Sequence, residues 1–510
     1  MLNRNMYEDL EKIQPIQPMS TSSYLDASER TEAEPRKNRF LTAVDRVTSQ
    51  FKLETRGVQR VEDDERTDTS LWSAASMWVA ANLVISTFAL GALGITLFQL
   101  GFYQCVVVII FFTFLGAIPF AFCSIFGSKF GLRQMILSSF FVGSFGMRIF
   151  AAINCVSAVG WGAINIMTAA QLLHIVNNGA LPPWVACIII VLITIIVTFF
   201  GYRVIHFFEM YAWIPSFIVF IIVIARMARS GNFTEGEWAT GKTGAGNVLS
   251  FGGTVFGFAA GWTTYAADYT TYMSVRTNPY KIFFAVLAGL TFPLIFTMIL
   301  GAACATGTLI DEDWAEMYNN NSIGGLLYSV LVVKSLHGFG QFCCVLLALS
   351  TVSNNIPSMY SIAMCLQAVW SKFRIVPRIA WTIFGNFLTL AICIPAYYKF
   401  SDVMHNFMNC IGYYTAIYIS MLLSEHFIYR RGFSGYNPDD YLDKSKLPIG
   451  IAGTSGFISG VVGAVLGMNQ TWYMGVVSRQ IGDYGGDPIR SCSNAKNLLH
   501  LFSALNQINS

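Results

Sequence analysis

An all-α, polytopic membrane protein is the fold class this sequence predicts, and three observations carry that expectation. Of 510 residues, 54% are hydrophobic and 12% charged, against roughly 25% charged in soluble domains. The chain holds about eleven apolar runs near the roughly 20 residues that a spanning helix needs. Lys and Arg collect on alternate connections between these runs, as they do in a chain threaded back and forth through a bilayer.

Residues 1–71 stand apart. Clusters such as Pro35-Arg36-Lys37-Asn38-Arg39 and Glu62-Asp63-Asp64-Glu65-Arg66 make them a polar tail, expected to be mostly disordered and solvated. It has no apolar stretch of signal-peptide type, so the first span does its own targeting. Spans are expected near 73–99, 102–126, 148–176, 184–201, 204–226, 248–272, 280–306, 333–356 (with helix continuing toward 370), 376–396, 403–428 and 447–468. Residues 134–147 are apolar but rich in Gly and Ser, and are expected to pack before the third span without crossing. The layout is thus a membrane core over 72–470 and a C-terminal tail over 471–510.

With the N-terminus inside, the inner connections carry Lys129, Arg133, Arg203, Arg276, Lys281, Lys372, Arg374, Arg378, Arg430, Arg431, Lys444 and Lys446. One outer connection is acidic, with Asp311, Glu312, Asp313 and Glu316, while Arg226, Arg229 and Lys242 go against the rule. Glycosylation sequons begin at Asn232, Asn320 and Asn469, all on connections that the charge count puts outside. A plasma-membrane protein with a cytoplasmic N-terminus is the resulting expectation.

Several function classes drop out. A net charge of +3 is too small to imply a nucleic-acid partner. Cys105, Cys123, Cys155, Cys187, Cys343, Cys344, Cys365, Cys393 and Cys410 lie in apolar runs and read as packing residues, with no zinc-type spacing. His174, His206, His337, His405, His426 and His500 show no spacing for a metal cluster or a nucleophile and its base, so neither an enzyme nor a cofactor is expected. Residues 236–243 read GEWATGKT and match the phosphate-loop pattern G-x-x-x-x-G-K-[ST]. That match reads as an accident. A working loop follows a buried strand and opens a helix, whereas this one follows a span, faces outside, and is trailed by Gly244, Gly246 and the apolar run Val248 to Phe251.

Polar groups at bilayer depth are expensive, so their positions are informative. In the third span Asn154, Ser157, Trp161, Asn165 and Thr168 recur every three or four residues and share one helix face. Ser157 and Thr168 read as interhelical glue, the Trp161–Asn165 pair as a ligand contact. The sixth span, FGGTVFGFAAGWTTYAADYTTYM over 251–273, sets Gly252, Gly253, Gly257 and Gly261 ahead of Trp262, a density that predicts an interrupted helix. The first span has a weaker counterpart in Asn82, Ser86 and Thr87 followed by Gly91 and Gly94. Glycine-interrupted helices five spans apart point to an inverted-repeat transporter with its site at the midplane; glycines that serve close helix packing are the alternative. In the eighth span, ALSTVSNNIPSMYS over 348–361 places Asn354 and Asn355 just ahead of Pro357, which predicts a broken hydrogen-bond ladder with amides facing a cavity.

Three of these stretches, GWGAIN at 160–165, GFAAGWTTYAADYT at 257–270 and ALSTVSNNIPSMYS at 348–361, together resemble the fungal purine–cytosine permeases of the nucleobase–cation symporter family. The resemblance implies two inverted five-helix repeats (LeuT-like) plus C-terminal helices, and proton- or sodium-coupled uptake of a small-molecule nucleobase. It implies that the base ring is held between Trp161 and Trp262, that Asn165, Asn354 and Asn355 read its edge, and that the family's first-span polar position is Ser86 or Thr87. Ser358 stands where relatives often carry an asparagine. The chemistry agrees: stacking holds any base at roughly 1–3 kcal/mol, and asparagine amides, each with a donor and an acceptor, read the edge.

For coupling, Ser350, Thr351 and Ser353 are candidate sodium ligands near the first span, and Glu209, Asp268, Asp402 and His405 are candidate titrating groups. Asp268 is equally placed to anchor the inner end of the sixth helix. Protons are preferred on the resemblance alone. Pyridoxine, thiamine, allantoin and uracil are alternative cargoes, and a channel or a non-transporting sensor is the other class. Relatives carry a twelfth span after the motif that here reads VVSRQIGDYGGD; from Pro488 this chain continues with a polar stretch too short to span, so an atypical tail is expected. The sequence assigns no oligomeric state.

Overall fold

The computed structural model describes residues 59–199, 210–376, 378–470 and 472–481, and a helix occupies the place of every expected span. The first is a bent pair, α1 (Leu71–Asn82) and α2 (Ile85–Thr96), set at 55°. It is followed by α3 (Phe102–Phe130), α4 (Gln134–Leu137), α5 (Ser139–Val176), α6 (Pro183–Phe199), α7 (Trp213–Ser230) and α8 (Gly241–Gly261), which passes directly into a 3-10 helix over Trp262–Tyr269. Then come α9 (Pro279–Ala305), α10 (Glu312–Leu331), α11 (His337–Val369), α12 (Arg378–Ala396), α13 (Phe400–Ser424), α14 (Ile451–Gly467) and α15 (Val476–Ile481). Among the described residues, by length and apolarity alone, six continuous helical stretches qualify to cross a membrane and the bent α1/α2 pair makes a seventh. The stretch Arg378–Tyr429, 52 residues long, contains two of the expected spans, and α6 and α14 are apolar but short. Glu209, Arg203 and His206 lie outside the described residues, as does the tail beyond residue 481.

Two groups of helices share the core. In one, α5 and α11 run antiparallel along their length: Asn154 Nδ2 donates to Cys365 Sγ at 3.3 Å near one end, and Gln341 Nε2 donates to Val176 O at 3.4 Å near the other. Helices α6 and α12 pack beside them. The other group is α1, α2, α3, α8 and α9, whose backbones touch through glycine. A Cβ on Gly91 of α2 would lie 1.9 Å from Met298 O of α9, and one on Gly301 of α9 would lie 2.0 Å from Phe88 O of α2. Between helices in lipid, van der Waals packing replaces the hydrophobic drive, and small residues permit it.

These contacts revise the glycine reading. The first-span break falls at Leu83–Val84, upstream of Gly91 and Gly94, which are packing residues. In the sixth span, Gly252, Gly253 and Gly257 are all helical; Gly257 is fitted against Met408 O of α13, 2.0 Å from where its Cβ would be. The helix changes character only after Gly261. Nor does Pro357 break the eighth span, since α11 runs through it. A proline removes one backbone donor, and a buried helix keeps its course on the neighbouring bonds.

Other expectations also change. Residues 59–70 of the polar tail are held across the membrane core: Val61 N donates to Gly131 O at 2.9 Å, Arg66 Nη1 to Ser128 O at 2.8 Å, and Arg60 pairs with Asp439 at 2.6 Å. The 134–147 stretch forms α4 and the start of α5, which turns at Gly143 (φ +69) where Pro448 O leaves no room for a side chain. The connection after α9, expected to face outside, contains a helix, α10, capped by Asp311 with Glu312 and Asp313 in its first turn, a start signal present in the sequence. GEWATGKT does open a helix, α8, but it follows extended coil, and Gln104 holds Ala239 by both its N–H and its C=O at 2.9 Å.

Among the described residues, connections that the charge count puts on one side meet at the same end of the molecule. Glu235, Asn232 and Thr234 meet Phe102, Asp311 and Thr306 at one end; Arg60, Arg66 and Asp68 meet residues 128–131, Asp439 and Met273 at the other. Gly301→Leu should lower stability by about 1–3 kcal/mol through overpacking. Thermal unfolding in detergent checks this, with Gly463→Leu, where nothing lies within 4 Å of an added Cβ, expected to leave the midpoint unchanged.

Candidate functional site

The breaks in the first and sixth spans face the α5/α11 pair, and the predicted residues gather there. Trp161 of α5 and Trp262, the first residue after α8, are both buried and stack on each other with ring centroids 5.6 Å apart and planes 22° from parallel. Gly261 makes this approach possible, for a Cβ there would lie 3.1 Å from the Trp161 ring. Phe258 meets the edge of Trp161 at 4.7 Å, and Trp78 meets Trp262 at 5.4 Å. Holding a flat ring between the two indoles needs planes about 7–8 Å apart, twice the contact distance of carbon atoms. The expected sandwich is therefore closed here, each indole serving as the other's stacking partner.

Beside the indoles lies an amide cluster. Asn165 Nδ2 donates to Asn354 Oδ1 at 2.7 Å and to Asn355 Oδ1 at 3.0 Å. Asn354 Nδ2 donates in turn to the Ala81 carbonyl, at the end of α1 where the broken helix leaves that group free. Among the described residues, Asn165 Oδ1, Asn355 Nδ2 and the Ser358 hydroxyl have no hydrogen-bond partner, though all three residues are fully buried. Ser86 and Thr87, in the first turn of α2, are likewise buried with unpartnered hydroxyls, so the structure leaves both as the first-span position. Buried polar groups usually find a partner; unpartnered ones also occur elsewhere in this molecule, at Trp78 Nε1, Thr113 Oγ1 and Asn386 Oδ1 among others, but five of them cluster in residues singled out from the sequence.

The sequence marks Asn82 as a polar residue of the first span but not as part of the site. Its Oδ1 accepts from Trp262 Nε1 at 3.0 Å while its Nδ2 donates to Trp78 O at 2.9 Å, fixing the indole's rotation. The signal available was its spacing of four from Trp78. By contrast Ser157 and Thr168 bond back to carbonyls of their own helix, so their hydroxyls do not make the interhelical bonds expected of them.

The coupling candidates divide. Ser350 Oγ accepts from Ile85 N at 3.4 Å and donates to Leu347 O at 2.6 Å, which places it at the first-span break. Thr351 bonds back to Ala348 O at 2.8 Å. Asp268 Oδ1 accepts from Gln134 N at 2.7 Å, so its carboxylate anchors the C-terminal end of the sixth span onto α4. His405 lies elsewhere, its ring nitrogen 3.1 Å from Thr254 Oγ1.

Two interrupted helices five spans apart, crossing a helix pair that carries buried unpaired amides, define a membrane transporter of the inverted-repeat class. The fold matches that of Mhp1, a nucleobase-cation-symport-1 family transporter solved in a closed conformation with bromovinylhydantoin bound, at a TM-score of 0.63 and 15% identity over 80% of this chain and 93% of that one. The model of permeases for cytosine/purines, uracil, thiamine and allantoin matches residues 60–475. The chain is 53% identical over 469 residues to purine-cytosine permease FCY21 of Saccharomyces cerevisiae, covering 92% of this chain and 89% of the relative. It is 42% identical over 480 residues to purine-cytosine permease fcyB of Emericella nidulans, covering 94% and 93%. The protein belongs to this permease family and is a multi-pass membrane transporter, not an enzyme.

Asn82→Leu would leave the Trp262 N–H buried and unpaired at a cost of about 1–3 kcal/mol. A lower unfolding midpoint in detergent, with Asn82→Gln partly restoring it, is the expected result.

Proposed function

We propose that this chain is an ion-coupled carrier that takes purine bases and cytosine across the plasma membrane by alternating access, with its N-terminus in the cytoplasm. One observation carries the reading: Asn165 Oδ1, an acceptor, and Asn355 Nδ2, a donor, are left over on two asparagines joined to each other, beside the stacked indoles. Cytosine and adenine each present an amino donor next to a ring-nitrogen acceptor, the complement of that pair. The 53% identity to a relative named as a purine-cytosine permease supports the same cargo.

Binding then exchanges one stack for another. The base parts Trp161 from Trp262, takes a face of each, and sets its edge on the amides; Ser358, Ser86 and Thr87 offer hydroxyls to its remaining polar atoms. A base without the matching edge would leave buried amides unpaired at about 1–3 kcal/mol, roughly tenfold or more in affinity. Rocking of one helix group against the other would open the site to each side in turn.

Protons are the proposed coupling ion. Sodium is the second reading, favoured by the position of the Ser350 hydroxyl at the first-span break. Uptake of radiolabelled cytosine, adenine and hypoxanthine into cells lacking their own carriers tests all of this. Saturable uptake abolished by a proton uncoupler and indifferent to sodium is expected; uptake that ignores both would end the symport reading. Trp262→Ala and Asn355→Ala should each raise KM about tenfold or more at normal surface expression, and unchanged kinetics would remove them from the site.

A further inference from the structure

Toward the end of the molecule that carries Lys129, Lys372 and Arg374, two buried arginines close on one tyrosine. Arg133 precedes α4, Arg378 opens α12, and Tyr360 lies on α11 two residues past Ser358. Arg133 Nη2 donates to the Tyr360 hydroxyl at 3.0 Å, and the Arg378 guanidinium carbon lies 4.3 Å from the Tyr360 ring centroid. The Arg133 guanidinium lies 5.4 Å from the same ring. Both distances are within cation–π range.

This cluster joins the two helix groups. Tyr360 and Arg378 belong to the α5/α11 group. Arg133 also reaches the other group, donating through Nη1 to Asp268 O at 3.1 Å at the end of the sixth span. Gln134 reinforces it: its backbone N–H donates to Asp268 Oδ1 at 2.7 Å, its Oε1 accepts from Ala267 N at 3.2 Å, and its Nε2 donates to Tyr418 OH on α13 at 2.9 Å. Tyr269, the last residue of the 3-10 helix, sets its ring 6.3 Å from that of Tyr360. Within the α1, α2, α3, α8 and α9 group the backbones touch through glycine; between the groups at this end, side chains make the connection. Charged groups are retained at such depth where they act.

We propose that Arg133, Tyr360 and Arg378 form the gate on this side of the site, holding the sixth span against α11 and releasing it when the site opens to the cytoplasm. They are positioning residues: the gate acts on which side the site faces, without contact to the cargo. The proposal rests on the carrier reading above, since a gate has meaning only where a site opens to two sides.

Cys365 reports on it without engineering. It lies on the helix face shared by Asn354, Ser358 and Ser361, past Tyr360 toward the arginine end, and is buried with Asn154 donating to its sulfur. The full-length protein and its variants are treated with N-ethylmaleimide in lipid nanodiscs, and alkylation is followed peptide by peptide by mass spectrometry. Tyr360→Leu is expected to speed Cys365 alkylation by about tenfold, the enrichment open to a minor state in a two-state equilibrium. Tyr360→Phe, which keeps a ring between the guanidinium groups, should give a smaller rise, and Arg378→Gln one comparable to Tyr360→Leu. Cys123 and Cys304, buried in the other group, should not change. An unchanged Cys365 rate in Tyr360→Leu and Arg378→Gln would overturn the gate, as would an equal rise at Cys123 and Cys304. Labelled-cytosine uptake measured alongside separates the two readings: an unmutated chain that moves no base sinks the cargo assignment, while the alkylation pattern still decides the gate.

Discussion

A helix that stops in the middle of a bilayer frees backbone groups that water cannot reach, and the protein has to satisfy them itself. The site follows from that constraint. Ala81 O, freed where α1 ends, takes the Asn354 side chain, and Ile85 N, where α2 begins, takes the Ser350 hydroxyl. Asn354 is then committed on both sides, its donor to the broken helix and its acceptor to Asn165. Among the amides, what this accounting leaves unpaired is one acceptor on Asn165 and one donor on Asn355, the pair that the proposed function assigns to recognition. The amide that repairs the first span thus sets which atoms its neighbours have left to offer.

The second organising feature is the contrast between how helices join within a group and between groups. Where α2 crosses α9, the contact is glycine against a carbonyl, with no space for a methyl group. Such contacts have one geometry. Between the groups the contacts are long side chains, Trp161 on Trp262 and Arg133 on Tyr360, whose rotamers can change without disturbing the helices that carry them. Rigid bodies joined by adjustable side chains are what an inverted-repeat carrier requires.

Much of this was legible in the sequence, for physical reasons that differ from residue to residue. The spans were readable because lipid demands long apolar helices, and Trp161, Asn165, Trp262, Asn354 and Asn355 because aromatic and amide residues are conspicuous in such runs. The places of the helix breaks were not. Glycine density marks both weak helix and close packing, and at Gly91 and Gly257 packing is what the structure shows. Pro357 misled because the loss of one donor need not stop a buried helix. The hold of residues 59–70 on the core was hidden by their charge: Arg66 is buried through bonds to a carbonyl and to Asp63 that no local pattern announces. Asn82 escaped because its function is to orient another side chain, a relation across 180 residues of sequence.

Trp78, Trp161 and Trp262 form a continuous cluster of three indoles, two stacked face to face and the third edge-on, out of eleven tryptophans in the chain. Indoles in this arrangement couple their electronic transitions and quench one another. A planar solute that enters between the stacked pair must separate them and insert a new chromophore. On the proposed site, occupancy would therefore be written into the near-ultraviolet circular dichroism and intrinsic fluorescence of the unmodified protein, an optical route to an affinity that needs no transport.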